Sequence, residues 1–125
     1  MTASERAQSL VDIATRAVRV RGGEDVVAID VSSRLPLTDA FLIVTATSER
    51  QVEAIADEAE DQLAAAGARP IRREGKNGER WLLVDAGEIV VHVFHEEERM
   101  YYDLERLWSD CPTLPIPQED PVAAE

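Results

Sequence analysis

The chain has one cysteine, few aromatic side chains and about half as many basic as acidic residues, and each shortage excludes something. A lone Cys111 in 125 residues cannot form an internal disulfide, so no oxidised framework holds the fold. It stands between Asp110 and Pro112 with no basic side chain next to it, which argues against a reactive thiol. The two histidines, His92 and His95, lie three apart in an apolar run. On an extended strand their side chains point to opposite faces, a poor arrangement for joint metal ligation. A core or rim histidine holding a backbone carbonyl is the plainer expectation. No glycine-rich phosphate loop is present, because Gly22-Gly23 follows a helix and precedes a strand, the reverse of the required order. No serine outside caps and loops is left for a Ser-His-Asp arrangement. No apolar run approaches ~18 residues, and the opening MTASERAQSL lacks the basic-then-apolar plan of an export signal. A soluble, cytoplasmic protein making no membrane contact is expected.

Charge narrows the partners further. Thirteen Lys and Arg against 25 Asp and Glu leave a formal charge of -12. Phosphate backbones repel such a chain and a basic protein attracts it, so direct sequence-specific nucleic-acid binding is not expected. The cluster Arg69, Arg72, Arg73, Lys76 and Arg80 is where any local nucleic-acid contact would fall.

What is present reads as one α/β domain. With 45% hydrophobic residues, 125 positions can build a single core. Ser4 is a candidate N-cap for a helix reaching about Arg21, with Ala7, Leu10, Val11, Ala14, Ala17 and Val18 on one face. Residues 26–31 and 40–46 read as strands. The second is apolar on both faces, which predicts a central position covered by helices on both sides. Ser48-Glu49-Arg50-Gln51 has the form of a capping box, and Gly67 suits the end of the helix that follows. Residues 70–73 suggest a short edge strand. WLLVDAGEIVVHVF is a hairpin turning at Gly87, and after Phe94 the period changes to about 3.6. That period places Met100, Tyr101, Leu104, Leu107 and Trp108 on an inward stripe of a last helix. The order is α-β-β-α-β-β-β-α, with about five strands in one mixed sheet. Residues 1–110 form the domain. Residues 111–125, rich in proline and acid, form a tail expected to be extended or disordered.

Three aspartates are the candidates for chemistry. Asp30, Asp39 and Asp85 each fall near a strand end, where carboxylates can gather around a divalent cation. A Mg-dependent nucleotidyltransferase or nucleotide-binding protein using them is the alternative function. That pattern needs two carboxylates one residue apart on a strand, and Phe41 stands where the second belongs. Capping and turn roles are preferred for all three. Trp81 and Tyr102 suggest something else: large aromatics beside carboxylates, without a nucleophile and base, fit a surface that grips another macromolecule.

At these residues the chain resembles the ribosomal silencing factor (Iojap-like) family, over about residues 10–108. The likeness is carried by LTDAFLIVTATSERQVEAIAD, the pair Glu74-Gly75, WLLVDAGEIVVHVF, and YDLERLW. The tail from Cys111 lies outside it. The resemblance implies a nucleotidyltransferase-like α/β fold without catalytic residues or cofactor. It implies binding to the L-series ribosomal protein fourteen of the large subunit, obstruction of subunit joining, and repression of translation when nutrients are scarce. A part in large-subunit maturation is implied by organellar members. The family's contact aromatics correspond to Trp81 and Tyr102. The expected site is these two anchors ringed by Glu74, Asp85, Glu88, Glu98 and Glu105, with a homodimer as a second use of the same patch.

Overall fold

The computed structural model describes residues 3–76, 80–101 and 103–118. Ser4 opens α1 (Glu5–Val20) by accepting the Ala7 N–H at 3.0 Å, one of the donors that a helix start leaves unpaired. The stripe from Ala7 to Val18 is buried, as its spacing predicts. Gly22 leaves the helix at φ +84, a left-handed conformation suited to glycine. Gly23 is constrained by space instead: a Cβ there would sit 2.6 Å from Val44 Cγ2 and 2.8 Å from the Val18 carbonyl oxygen. Gly23→Ala is expected to destabilise the fold by about 2 kcal/mol, seen as a lower melting temperature.

β1 (Glu24–Asp30) and β2 (Ala40–Ala46) pair antiparallel, with Ile29 opposite Phe41. α2 (Glu49–Ala65) begins at Ser48, whose hydroxyl accepts the Gln51 N–H at 3.1 Å. Gln51 reaches back one residue further than a capping box requires. Its Oε1 accepts the Thr47 N–H at 2.6 Å, and its Nε2 donates to the Arg21 carbonyl at 3.1 Å. One side chain thereby ties the start of α2 to the end of α1.

β3 (Arg72–Lys76), β4 (Trp81–Asp85) and β5 (Ile89–His95) follow. The β4–β5 hairpin turns through Gly87 at φ +84, as expected. β5 returns parallel to β2, the crossover containing α2. The sheet order is β3-β4-β5-β2-β1-β6, so β3 is an edge strand, beginning two residues after Pro70.

There are six strands where about five were expected. β6 (Thr113–Leu114) pairs with β1 and comes from the segment expected to lie beyond the domain. Residues 111–118 are extended but laid along the body. Leu114 and Ile116 pack against the core under α1. Gln8 Nε2 donates to the Pro115 carbonyl at 2.9 Å, and Arg19 Nη1 donates to that of Pro117. Prolines lack the N–H that a strand uses, yet their carbonyls still accept. Ending the chain at Asp110 is expected to uncover the β1 edge, and an unpaired edge promotes association. Light scattering should then report higher-mass species than the parent chain forms.

The last helix is also different. It runs as α3 (Glu96–Tyr101) and, after a non-helical Asp103 at φ -15 and ψ 73, restarts as α4 (Leu104–Leu107). Asp103 caps the restart by accepting the Arg106 N–H at 3.3 Å. The interruption resets the phase of the apolar stripe. Leu104 and Trp108 pack inward, while Met100, Tyr101 and Leu107 are 84%, 80% and 65% exposed.

β2 and β5 are buried at every position, but the two faces are covered unequally. On one face Leu42, Val44, Leu82, Val84, Val91 and Val93 share a core with the buried stripes of α1 and α2. On the other, Ile29, Phe41, Ile43, Val90 and Phe94 meet Leu35, Leu104, Trp108 and Cys111, all from short segments. Helical cover on both sides was expected. Among the described residues both long helices lie on the first face.

Candidate protein-binding face

Strand alternation sends Trp81, Leu83 and Asp85 of β4 to the thinly covered face, opposite Phe94, His92 and Val90 of β5. Trp81 is half-buried there. Its ring stacks on Phe94, centroids 4.6 Å apart and planes 25° apart. Its indole Nε1 donates to His92 Nδ1 at 3.3 Å. His92 is 5% exposed and meets Phe41 edge-on at 4.6 Å. Phe41 in turn meets Trp108 at 5.0 Å, and Arg34 lies 4.3 Å over the Trp108 ring. Among the described residues a chain of rings crosses this face, running from Trp81 through Phe94, His92 and Phe41 to Trp108.

The chemistry of His92 follows from this setting. Burial pushes its pKa from 6.5 down to about 4, so the ring is neutral near pH 7. With Nδ1 accepting from Trp81, the tautomer is assigned with its proton on Nε2. That Nε2 is buried and has no hydrogen-bond partner among the described residues, an omission worth about 1–3 kcal/mol of lost stability. The expected backbone carbonyl is replaced by an indole. His95 points to the other side of the strand and lies 3.2 Å from Arg80 Nη2, so the two rings do not converge.

The five expected collar carboxylates are all engaged by arginines, and they do not form one ring. Glu74 sits opposite Leu83 on the same face as Trp81 and pairs with Arg72 at 3.0 Å. Asp85 accepts the Gly87 N–H at 2.9 Å and lies 3.6 Å from Arg72 Nε, four residues from Trp81 and thus roughly 13 Å along the strand. Glu98 and Glu105 belong to the Trp81 end: Glu98 lies 3.4 Å from Arg80 Nε, and Glu105 is gripped by Arg99 Nε and Nη2, both at 3.0 Å. Arg99 Nη1 also donates to Thr45 Oγ1 at 2.7 Å, fastening α3 and α4 to β2. Glu88 is drawn to the opposite layer by Arg6 of α1, at 2.8 Å. The more exposed of these pairs, Arg6–Glu88 and Arg72–Glu74, contribute only ~0–1 kcal/mol each. Tyr102, the second expected anchor, lies outside the described residues. The exposed Met100, Tyr101 and Leu107 beside it were missed by periodicity; Asp103 as a cap residue was the signal that could have revealed them.

The three candidate aspartates take the capping and turn roles that were preferred. Asp30 accepts from Ala3 N at 2.8 Å, Ser32 N at 3.0 Å and Ser32 Oγ at 2.6 Å. Burial works against its charge, but these hydrogen bonds prevail and hold its pKa below the usual value. Asp39 accepts the Ser4 N–H at 2.9 Å at the start of α1, and Asp85 serves the Gly87 turn. Among the described residues no cluster of three metal-ligating side chains forms. No helix among them is long and apolar enough to cross a membrane.

The fold is a mixed α/β domain with one six-stranded sheet, and its thinly covered face carries the aromatic chain and the ion-paired acids. Residues 4–125 match the family described as "Ribosomal silencing factor during starvation", and the chain belongs to that family. The match runs past Trp108 and includes the proline-rich segment. The chain is 43% identical over 109 residues to the "Ribosomal silencing factor RsfS" of Halalkalibacterium halodurans, covering 87% of this chain and 93% of that protein. It is 30% identical over 102 residues to the mouse "Mitochondrial assembly of ribosomal large subunit protein 1", covering 79% of this chain and 45% of that protein. A crystal structure of a Chromobacterium violaceum protein superposes with a TM-score of 0.78 at 36% identity, covering 82% of this chain and 86% of that one.

Proposed function

We propose that this protein acts in the cytoplasm by docking onto the L-series ribosomal protein fourteen of the large ribosomal subunit. Bound there, it blocks joining of the small subunit and represses translation under nutrient limitation. The carrying observation is Trp81, a half-buried ring on a thinly covered sheet face, with exposed apolar side chains on the adjoining α3–α4 segment. Tyr102 is the second anchor, and Glu74, Asp85, Glu98 and Glu105 orient a basic partner around them. Glu88 takes part from the neighbouring turn. A charge of -12 favours a cationic protein as the contact and opposes rRNA, which supports obstruction by bulk and repulsion. The names of the bacterial and mouse relatives support a ribosomal target and, for the mouse protein, the large subunit. No bond is made or broken, so the protein is not an enzyme and uses no cofactor. When free, the same patch closes on a second copy as a homodimer.

Gradient sedimentation of ribosomes with added protein tests this reading. Coupled particles should decline, and the protein should travel with free large subunits. Unchanged coupling, or co-migration with small subunits, would reject it.

A further inference from the structure

We propose that His92 is a positioning residue for the docking ring, its Nδ1 selecting the Trp81 rotamer whose Nε1 edge faces the sheet before any partner arrives. The inference rests on the docking reading above and adds a residue that is itself too buried to touch the partner.

Two of the contacts made by the Trp81 ring do different things. Stacking on Phe94 fixes the tilt, with planes 25° apart. Stacking alone does not choose between the two ring faces, because a half-turn about the Cβ–Cγ bond returns the indole to nearly the same plane with its edges exchanged. The Nε1–H···Nδ1 bond is directional and removes that freedom. His92 can serve because it is itself held: Phe41 meets it edge-on, and Trp108 supports Phe41 from behind. Sheet register sets the reach. His92 stands opposite Leu83, one same-face step from the Trp81–Phe94 pair.

The position is also an unfavourable place for an imidazole. Its Nε2 is buried without a hydrogen-bond partner among the described residues, so an apolar side chain of similar volume would suit the core better. Stability therefore does not account for a histidine here. An acceptor aimed at the indole does, and a ring ordered in advance loses less freedom on binding.

Two substitutions in the full chain separate positioning from packing. His92→Leu fills the site and removes the acceptor; His92→Asn keeps an acceptor on Cγ, Oδ1 in place of Nδ1, and loses volume. His92→Leu should melt no lower than the parent yet bind large ribosomal subunits about five-fold more weakly in co-sedimentation. His92→Asn should melt lower and bind within two-fold of the parent. In the ¹H–¹⁵N spectrum, the Trp81 indole resonance, assigned by Trp81→Phe, should shift and exchange faster in the Leu variant alone. Trp81→Phe should bind as weakly as His92→Leu, with no further loss when the two are combined. Unchanged binding by His92→Leu, or loss in both His92 variants in proportion to lost stability, overturns the inference. Trp81→Ala, run in parallel, separates the two levels. If it alone fails to bind, the positioning role falls and the docking reading stands; if it binds like the parent, both fall.

Discussion

Trp81→Ala is expected to weaken capture of large ribosomal subunits about 30-fold, the ~2 kcal/mol that truncating an interface aromatic commonly removes. The fold should survive, because the neighbouring strand residues Leu82 and Val84 are buried in the core under α1 and α2 and do not depend on the ring. A lower melting temperature is still expected, since Phe94 loses its stacking partner and His92 Nδ1 its donor. Circular dichroism at the assay temperature separates the two effects. A native spectrum with 30-fold weaker co-sedimentation supports the anchor assignment. A native spectrum with parental binding removes Trp81 from the interface.

Acid is expected to destabilise the protein well above the pH at which carboxylates titrate. The unfolded chain protonates His92 near pH 6.5, whereas the folded chain resists until about pH 4. Between those values the unfolded state binds more protons, so stability rises with pH through the window and is level above it. Going down from neutrality, about 3 kcal/mol should be lost by pH 4. Asp30 acts in a separate range: its pKa is lowered by hydrogen bonding, so its contribution is present above the ordinary carboxylate value and fades only as pH falls through the lowered one. Chemical denaturation at pH 7, 5.5 and 4.5 measures the slope, and His92→Leu should flatten it. A parental slope in that variant would assign the acid sensitivity to other groups.

Much of this architecture can be read from residue order, and the failures have physical causes. The caps at Ser4 and Ser48, the turn at Gly87 and the strand at residues 40–46 rest on local rules, and all are observed. β6 is two residues long among prolines, too short to carry a period, and exists because β1 offers an edge. Extrapolating one 3.6-residue stripe through residues 95–108 fails because Asp103 restarts the helix out of phase. At the candidate face, Trp81 was legible as a ring following a polar loop. Its tie to His92 was not, because it depends on cross-strand register, which alternation leaves open. The arginines that occupy the acidic side chains were visible in the composition, but the pairings are long-range: Arg6 and Glu88 are 82 positions apart.

The segment after Asp110 has a consequence for the order in which contacts close. Gln8 and Pro115 lie 107 positions apart, and Arg19 and Pro117 lie 98 apart, so α1 is sealed by a segment far downstream of it. Contacts of such span close late, after the local hairpin and helices are in place. A chain lacking residues 111–118 would keep its hairpin and both long helices yet leave the groove beside α1 open.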